Sequence, residues 1–377
     1  MRFEIKNDTL ETRLQKLSVL CNSRKKAVLY FTDRENAFQA RYRCKNIASF
    51  LENDPLWGSV YCFTDEIHFF QDYIQDCSIV VFARVKWSVS VEQLITNIRK
   101  SKIPVVFDMD DLFCTMEDAL IPMAANADRL NTLHRIAEYN LAIQRCDYLL
   151  VTNDYLGQCL QSAFHKPFFT IPNSLCREQI DVSGECVQRK TKIADRFIIG
   201  YFSGTTSHRR DFHVVSEALL HLLNDLDNVS LRICGHLELP EAFRAYKEAG
   251  RVEQIRFTDY LTLQSYISQV DVNIVPLEEN KFTNCKSELK FFESAIVKVP
   301  TVATPVYSYK NAINDGKTGL LASEDEWYDK IRQLYEHPAL AAEIAENACS
   351  YCIKEYYEKM PEKIAAAYQL IMDLHEQ

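Results

Sequence analysis

Short runs of apolar residues alternate with amphipathic segments along nearly the whole chain. Strands and helices that alternate in this rhythm predict βαβ units and therefore parallel sheets. Leucines at helical spacing predict a first helix over residues 9–26. The predicted strands of the first half are residues 27–31, 60–63, 78–83, 104–107, 148–151 and 168–171.

The alternation stops at residues 177–196, where most side chains are polar or charged, and then begins again. Such a stretch indicates a linker between two domains. A short apolar turn is expected at 318–321 and a last helix at 361–375. The predicted strands of the second half are 197–202, 230–234, 255–257, 272–275 and 301–303. The pattern predicts an α/β protein with two tandem Rossmann-like, doubly wound parallel-sheet domains, residues 1–176 and 197–358.

Composition narrows the class of protein. A chain of 377 residues exceeds one ordinary core, and 47% hydrophobic with 25% charged residues is typical of a soluble globular protein. The net charge of −9 argues against nucleic acid as a partner, although local basic clusters can still bind an anionic small molecule. The 13 cysteines are scattered through apolar runs, which indicates free thiols and a cytoplasmic location.

Two lysines, Lys286 and Lys290, are four residues apart at the start of a helix predicted over 286–297. This spacing would place both ammonium groups on one helical face. Amides of a first helical turn have no intrahelical partner, and the helix dipole favours anions. The pattern predicts a phosphate or diphosphate site, and a solvated lysine face is the alternative.

A second group of anion-binding residues follows strand 197–202. Small residues after a strand expose backbone amides, and two arginines can clamp phosphate oxygens. The alternative is a helix-capping loop with its arginines in solvent. The residues concerned are Ser203, Gly204, Thr205, His208, Arg209 and Arg210.

Three carboxylates, Asp108, Asp110 and Asp111, end the predicted strand 104–107. One of them could act as a general base, bind a sugar hydroxyl or help to hold a divalent metal. Helix capping is the alternative. Arg41 and Arg43, on the helix after the first strand, could meet an acceptor phosphate or lie at the surface.

Weaker candidates lie after two strands of the second half. They could contact a nucleotide base, because ligands of such sheets bind at the carboxyl ends of the strands. These candidates are Gly235, His236, Tyr260 and Leu261.

The second half resembles the nucleotide-sugar domain of GT-B glycosyltransferases, most closely family 4, the glycosyl transferases group 1. The first half resembles an acceptor domain with R-Y-R at 41–43, V-V-F-D-M-D-D-L at 105–112 and I-P-N-S at 171–174. The resemblance implies that the last segment, 359–377, packs back on the first domain. The motifs of the second half are I-C-G at 233–235, D-V-N-I-V-P-L at 271–277, K-S-E-L-K-F-F-E-S-A at 286–295, V-P-T-V-A-T-P at 299–305 and D-G-K-T-G-L-L at 315–321.

The resemblance implies a retaining, hexosyltransferase-type enzyme of bacterial surface polysaccharide synthesis. It would move a sugar from a nucleoside-diphosphate-sugar to a saccharide or lipid-linked saccharide acceptor, with no cofactor and no metal. Glu293 would hold the donor ribose, together with the base-contacting candidates above. The family's other glutamate falls at Cys285, which puts the donor-sugar contact in question.

The remaining roles follow the same resemblance. The expected catalytic residues are Asp108, Asp110, Arg209 and Lys290. The expected acceptor-binding residues are Arg41, Arg43 and Asp111. The expected diphosphate-binding residues are Ser203, Gly204, Thr205, His208, Arg210, Lys286 and Leu289.

Two alternative functions stay open at this point. The first is a haloacid dehalogenase-like phosphohydrolase that uses Asp108 and Asp110. The second is a catalytically degenerate GT-B binding module, which Cys285 favours. Helix 9–26 could also contact the inner membrane face or a partner domain.

Overall fold

A computed structural model describes residues 8–34, 40–113, 129–190, 195–203 and 209–377. The chain divides into two compact units. The N-terminal unit comprises Lys6–Ser174, Cys285–Ser287 and Glu358–Gln377. The C-terminal unit comprises Leu175–Asn284 and Glu288–Tyr357.

The N-terminal unit is built on a six-stranded sheet in which every paired strand is parallel. The strand order is β2-β1-β3-β4-β5-β6, so the winding direction reverses between β1 and β3. Helices cover both faces of such a sheet, which is why its strands are apolar along their whole length. The strands are β1 Lys26–Thr32, β2 Trp57–Phe63, β3 Ile79–Ala83, β4 Val105–Met109, β5 Tyr148–Val151 and β6 Phe168–Thr170.

The helix Met360–His375 supplies part of the core of the N-terminal unit. Its inward face buries Met360, Ile364 and Tyr368 among side chains of this sheet. The predicted return of the last helix to the first domain is confirmed. The other helices are Leu10–Cys21, Asn46–Phe50, Ile67–Phe70, Val89–Lys100, Arg129–Arg145 and Asp154–Phe164, with a π-helical turn Arg41–Lys45 and 3₁₀ turns Thr64–Glu66 and Gln71–Asp76.

The C-terminal unit contains a second six-stranded parallel sheet, in the order β12-β11-β10-β7-β8-β9. This is the Rossmann order, and its winding reverses between β7 and β10. The predicted doubly wound α/β fold is therefore confirmed. The expected turn at 318–321 contains a strand, because two of its residues pair with β11. The strands are β7 Phe197–Phe202, β8 Val229–Cys234, β9 Val252–Ile255, β10 Val272–Val275, β11 Thr301–Ala303 and β12 Leu320–Leu321.

The predicted linker 177–196 is wrong over most of its length. Residues Arg177–Gln188 form a helix whose Val182 and Cys186 are buried in the C-terminal core. Its outer face carries the charged residues that suggested a linker. The other helices of this unit are Arg209–Asp225, Arg244–Glu248, Tyr260–Ile267, Lys281–Asn284, Leu289–Ala295, Tyr307–Ala312, Trp327–Glu336 and Pro338–Ile353, with a 3₁₀ turn Glu241–Phe243 and a π-helical turn Lys354–Glu358.

The first helix is shorter than the predicted 9–26. It covers Leu10–Cys21, and the basic segment after it leads into β1. Leu17 and Leu20 are buried in the N-terminal unit, so this part of the leucine stripe is used for packing. Membrane contact through this helix stays a prediction. Among the described helices, none is long and apolar enough to cross a bilayer.

We predict that Tyr368 is essential for the stability of the N-terminal unit. Its side chain is 0% exposed, and its hydroxyl lies 2.8 Å from that of Tyr30. Tyr368→Ala should lower the free energy of unfolding by about 3–5 kcal/mol, because it leaves a cavity and an unpaired hydroxyl. Leu370→Ala on the same helix, at 56% exposure, should cost less than about 0.5 kcal/mol. Urea unfolding measures both, and equal losses would contradict the assignment.

Candidate functional site

The C-terminal unit concentrates polar groups at its topological switch point. Tyr201 on β7 pairs with Ile274 on β10 at the place where the winding reverses. In open α/β sheets, ligands bind in the crevice outside the carboxyl ends of the strands at such a point. The sheet order therefore locates a candidate site independently of any motif.

Lys290 lies at this switch point. Its Nζ is 5.5 Å from the centroid of the Tyr201 ring, within the range of a cation–π contact. Its carbonyl accepts a hydrogen bond of 3.2 Å from Asn273 Nδ2, and the same nitrogen donates to Thr301 Oγ1. Strands β10 and β11 thus fix the start of helix Leu289–Ala295, where the Phe291 N–H donates to Glu288 O at 2.9 Å.

Lys286 does not share a helical face with Lys290, so the predicted pair is corrected. The helix predicted over 286–297 begins at Leu289, which leaves Lys286 outside it. Lys286 belongs to the N-terminal unit, where its carbonyl accepts a 3.3 Å hydrogen bond from Asn153 Nδ2. The two lysines are four residues apart, but the helix begins three residues later than predicted.

Three carboxylates are buried in the C-terminal unit. Glu293 is 4% exposed, and one of its oxygens accepts a 3.5 Å hydrogen bond from Gln179 Nε2. Asp211 is 6% exposed and accepts a 3.0 Å hydrogen bond from the backbone N–H of Glu278. Glu288, the residue before helix Leu289–Ala295, is 8% exposed.

Tyr309 lies near these acids, and the sequence analysis did not identify it as a candidate site residue. Burial raises the pKa of its hydroxyl well above the ordinary value, and the charges of Glu288 and Glu293 raise it further. The Tyr309 hydroxyl therefore lies within electrostatic range of both carboxylates. No spacing signal marks Tyr309, because one aromatic residue in an apolar segment resembles any core residue.

Cys285 is completely buried. Its carbonyl accepts a 3.0 Å hydrogen bond from Asn153 Nδ2 within the N-terminal unit. A buried thiol cannot replace the carboxylate that would contact a ligand at this position. The position that the family resemblance assigns to a sugar-binding glutamate therefore has a packing role in this chain.

The predicted phosphate loop is only partly described. Ser203 is 4% exposed, and its N–H donates to Cys234 O at 2.8 Å. Arg210 is exposed in the first turn of helix Arg209–Asp225. The remaining residues of this prediction, Gly204, Thr205, His208 and the Arg209 side chain, lie outside the described residues.

The nucleotide-contacting candidates behave differently from one another. Gly235 has φ +114°, and a Cβ there would clash with the carbonyl oxygen of Ser203, so glycine is required for this close approach. His236 is exposed beside it. Tyr260 donates a 2.8 Å hydrogen bond to Glu178. Leu261 is corrected to a core residue, because its side chain is 1% exposed and its N–H donates to Asp259.

Asp108 and Arg43 are also corrected, because they form a buried ion pair. Arg43 Nε and Nη2 donate to the two oxygens of Asp108 at 2.8 and 2.7 Å, and the side chains are 1% and 0% exposed. Arg43 Nη1 also donates to Ile171 O at 2.6 Å. Burial raises the pKa of Asp108, and the guanidinium opposes that rise. Residues this deeply buried contact neither acceptor nor phosphate, so they stabilise the end of β4.

Asp110 and Asp111 remain accessible. Both pair with Arg84 Nη1, at 2.9 and 3.3 Å, and their side chains are 12% and 27% exposed. Burial raises the pKa of Asp111, with Lys286 and Arg84 acting in the opposite direction. Arg84, at the end of β3, has the strained backbone angle φ 49°, which sequence reasoning could not detect.

Arg41 is half-buried in the π-helical turn Arg41–Lys45, with its guanidinium 3.8 Å from the centroid of the Tyr42 ring. Unlike Arg43, it keeps part of its side chain at the surface, so acceptor binding by Arg41 stays a prediction. Within the described parts of both units, no three His, Cys, Asp or Glu side chains are arranged to hold a metal ion.

The family comparison matches the unit that contains Lys290 and Glu293. Residues 196–337 match the family model described as glycosyl transferases group 1. The match covers most of the C-terminal unit and less than half of the chain. The resemblance drawn from the sequence motifs is confirmed over this range. Among curated proteins, no sequence matches the chain.

Solved structures extend the fold to both units. A glycosyltransferase from Rickettsia africae ESF-5 is similar with a TM-score of 0.65 and 13% identity, over 93% of this chain and 99% of that one. HepE from Anabaena, solved in complex with UDP, is similar with a TM-score of 0.59 and 13% identity, over 93% of this chain and 99% of HepE. TarM from S. aureus is similar with a TM-score of 0.56 and 16% identity over 81% of this chain. This chain spans only 58% of the length of TarM. These similarities establish the GT-B fold.

We predict that Asp108 acts through stability. Asp108→Asn should lower the free energy of unfolding by about 3–5 kcal/mol, because Arg43 keeps a buried charge without its partner. Asp76→Asn, an exposed position of the same unit, should change it by less than about 0.5 kcal/mol. Chemical denaturation measures both. A variant Asp108→Asn with native stability and no activity would restore the catalytic role.

Proposed function

We propose that the protein transfers a sugar from a nucleoside-diphosphate-sugar to a saccharide or lipid-linked saccharide acceptor. The observation that carries this proposal is the position of Lys290 at the switch point of a glycosyl transferases group 1 domain. We also propose that the protein acts in the cytoplasm, in the synthesis of a bacterial surface polysaccharide. HepE, of similar fold, has been solved with UDP and with UDP-glucose, which favours a uridine nucleotide as the first donor to test.

The chemistry requires charge neutralisation at the leaving group. When the bond between the sugar's anomeric carbon and the diphosphate oxygen breaks, the electron pair moves to that oxygen. The Lys290 ammonium, held at the switch point, would stabilise the growing negative charge. Fixed donors of this kind supply a large share of catalysis. This role needs no metal ion, and Glu293 would receive the ribose hydroxyls.

On the acceptor side, Asp110 and Asp111 are the carboxylates that this proposal retains. They lie at the carboxyl end of β4, and both are partly exposed. Burial raises the pKa of Asp111, which makes its carboxylate a stronger proton acceptor. They would hold a hydroxyl group of the acceptor. We propose retention of configuration, which requires the hydroxyl to attack the anomeric carbon from the face that the diphosphate leaves, and NMR of the first-formed product would test it.

The phosphohydrolase alternative loses its nucleophile, because both oxygens of Asp108 are bonded to Arg43 in a fully buried pair. A catalytically degenerate binding module is the second candidate. The burial of Cys285 favours it, since the usual carboxylate for the donor sugar is missing. Glu288, three residues later in the sequence, is a buried carboxylate of the C-terminal unit and the residue we propose for that contact.

Replacing Lys290 tests the proposed leaving-group role. Lys290→Ala should lower kcat/KM for sugar transfer by about 10²–10³, as removal of one oxyanion donor does. Lys310→Ala, an exposed lysine of the same unit, should leave turnover unchanged. The melting temperatures of both variants must match the parent protein for the comparison to count. Full activity of Lys290→Ala would refute the proposed role.

A thermal-shift series with UDP, GDP, ADP and their glucose conjugates tests donor binding. A ligand that binds only the folded state raises the melting temperature, with about 2.7 kcal/mol of stabilisation at one hundred times its Kd. At least one conjugate should stabilise the parent protein, and Lys290→Ala should reduce the shift. Stabilisation with no turnover across an acceptor panel would favour the binding module instead.

A further inference from the structure

A groove in the N-terminal unit is lined by none of the candidate site residues discussed above. It has a volume of about 700 Å³, in the range of small-molecule sites. One wall is the helix Val89–Lys100, and the other is the segment from Thr64 to Gln75 that follows β2. The groove is therefore built from two elements of one unit.

Side-chain amides face the groove from both walls. Gln93 and Asn97 lie one helical turn apart on helix Val89–Lys100, and Gln71 and Gln75 lie on the opposite wall. Across the described residues, the side chains of Gln71, Gln75 and Gln93 make no hydrogen bond. A carboxamide donates and accepts at the same time, which suits the vicinal hydroxyl groups of a sugar.

The charge of the groove excludes several ligand classes. The described lining contains no lysine and no arginine, while Asp65 and Asp72 contribute to it. Asp65 is already paired with Arg34, at 2.9 Å. A phosphate, a uronate or a nucleic acid would meet the carboxylate of Asp72, which has no ion pair among the described residues. A neutral ligand with many hydroxyl groups has no such cost.

Apolar contacts complete the groove. Ile67, Ile74 and Leu94 line it and can pack against the C–H faces of pyranose rings. His68 also lines it, with its ring 3.9 Å from that of Phe69, which is 46% exposed. Amides combined with apolar and aromatic surface make a mixed lining that fits a carbohydrate better than a peptide or a lipid.

The direction of the groove links it to the reaction. Thr64 follows the carboxyl end of β2, and Ser90 lies in the first turn of the helix after β3, so one end opens at the edge where such sheets bind ligands. Ser101 lies at the other end of the same helix. Eleven residues of helix correspond to about 16 Å, longer than one sugar ring.

We infer that this groove binds a neutral oligosaccharide, namely the distal part of the acceptor glycan. The choice of acceptor rests on the proposed function, whereas the binding itself does not. A donor-free binding measurement can therefore succeed or fail independently of sugar transfer.

The test uses the full chain on immobilised neutral oligosaccharides, namely α- and β-glucans, galactans, mannans and N-acetylhexosamine chains, with uronate-bearing and phosphate-bearing chains alongside. The protein should retain at least one neutral chain. The double variant Gln93→Ala with Asn97→Ala should weaken that binding by about ten-fold, the effect of losing two hydrogen bonds. Gln158→Ala, an exposed glutamine on another helix of the same unit, should bind as the parent does.

Melting temperatures verify that both variants are folded, since all three side chains are exposed. Retention of charged chains alone, retention of no chain, or equal binding by the double variant and the parent would each overturn the inference.

Discussion

A bidentate ion pair between Arg43 and Asp108, closed off from solvent, organises the carboxyl edge of the first sheet. Removing two charges from water costs several kcal/mol per ion, so such a pair persists only with good geometry and further hydrogen bonds. Here one guanidinium joins β4, the π-helical turn after β1 and the loop that leaves β6. Beside it, the hydroxyls of Tyr30 and Tyr368 bring the last helix onto the same sheet.

This pair also determines which acids of the D-x-D-D motif are available for chemistry. Because Asp108 is used inside the unit, the exposed part of the motif is reduced to Asp110 and Asp111. Arg84 pairs with both carboxylates and has a strained backbone angle. Strain of this kind persists only where the surrounding structure holds the residue in place. One motif therefore divides into a structural half and an accessible half.

The C-terminal unit contains buried carboxylates and a lysine at its switch point. Glu288, Glu293 and Asp211 are buried near Tyr309, and their negative charges add to the effect of burial in raising the pKa of its hydroxyl. Lys290 provides the positive charge at the switch point, positioned by Asn273 and the ring of Tyr201. A cation with fixed neighbours needs little reorganisation when negative charge develops on a ligand, which is the condition for electrostatic catalysis.

Local sequence patterns are enough to predict the strand–helix alternation, the two-sheet α/β class and the strand ends at which polar residues gather. Apolar runs of strand length and helical spacing are local properties, and the carboxyl edge of a parallel sheet follows from chain direction alone. Three-dimensional packing was needed to show that Asp108, Arg43, Leu261 and Cys285 are buried, that residues 177–188 form a core helix, and that Tyr309 lies near three acids. Burial and long-range pairing depend on residues that are distant in sequence, and the same aspartate or tyrosine suits a solvated edge or a closed core.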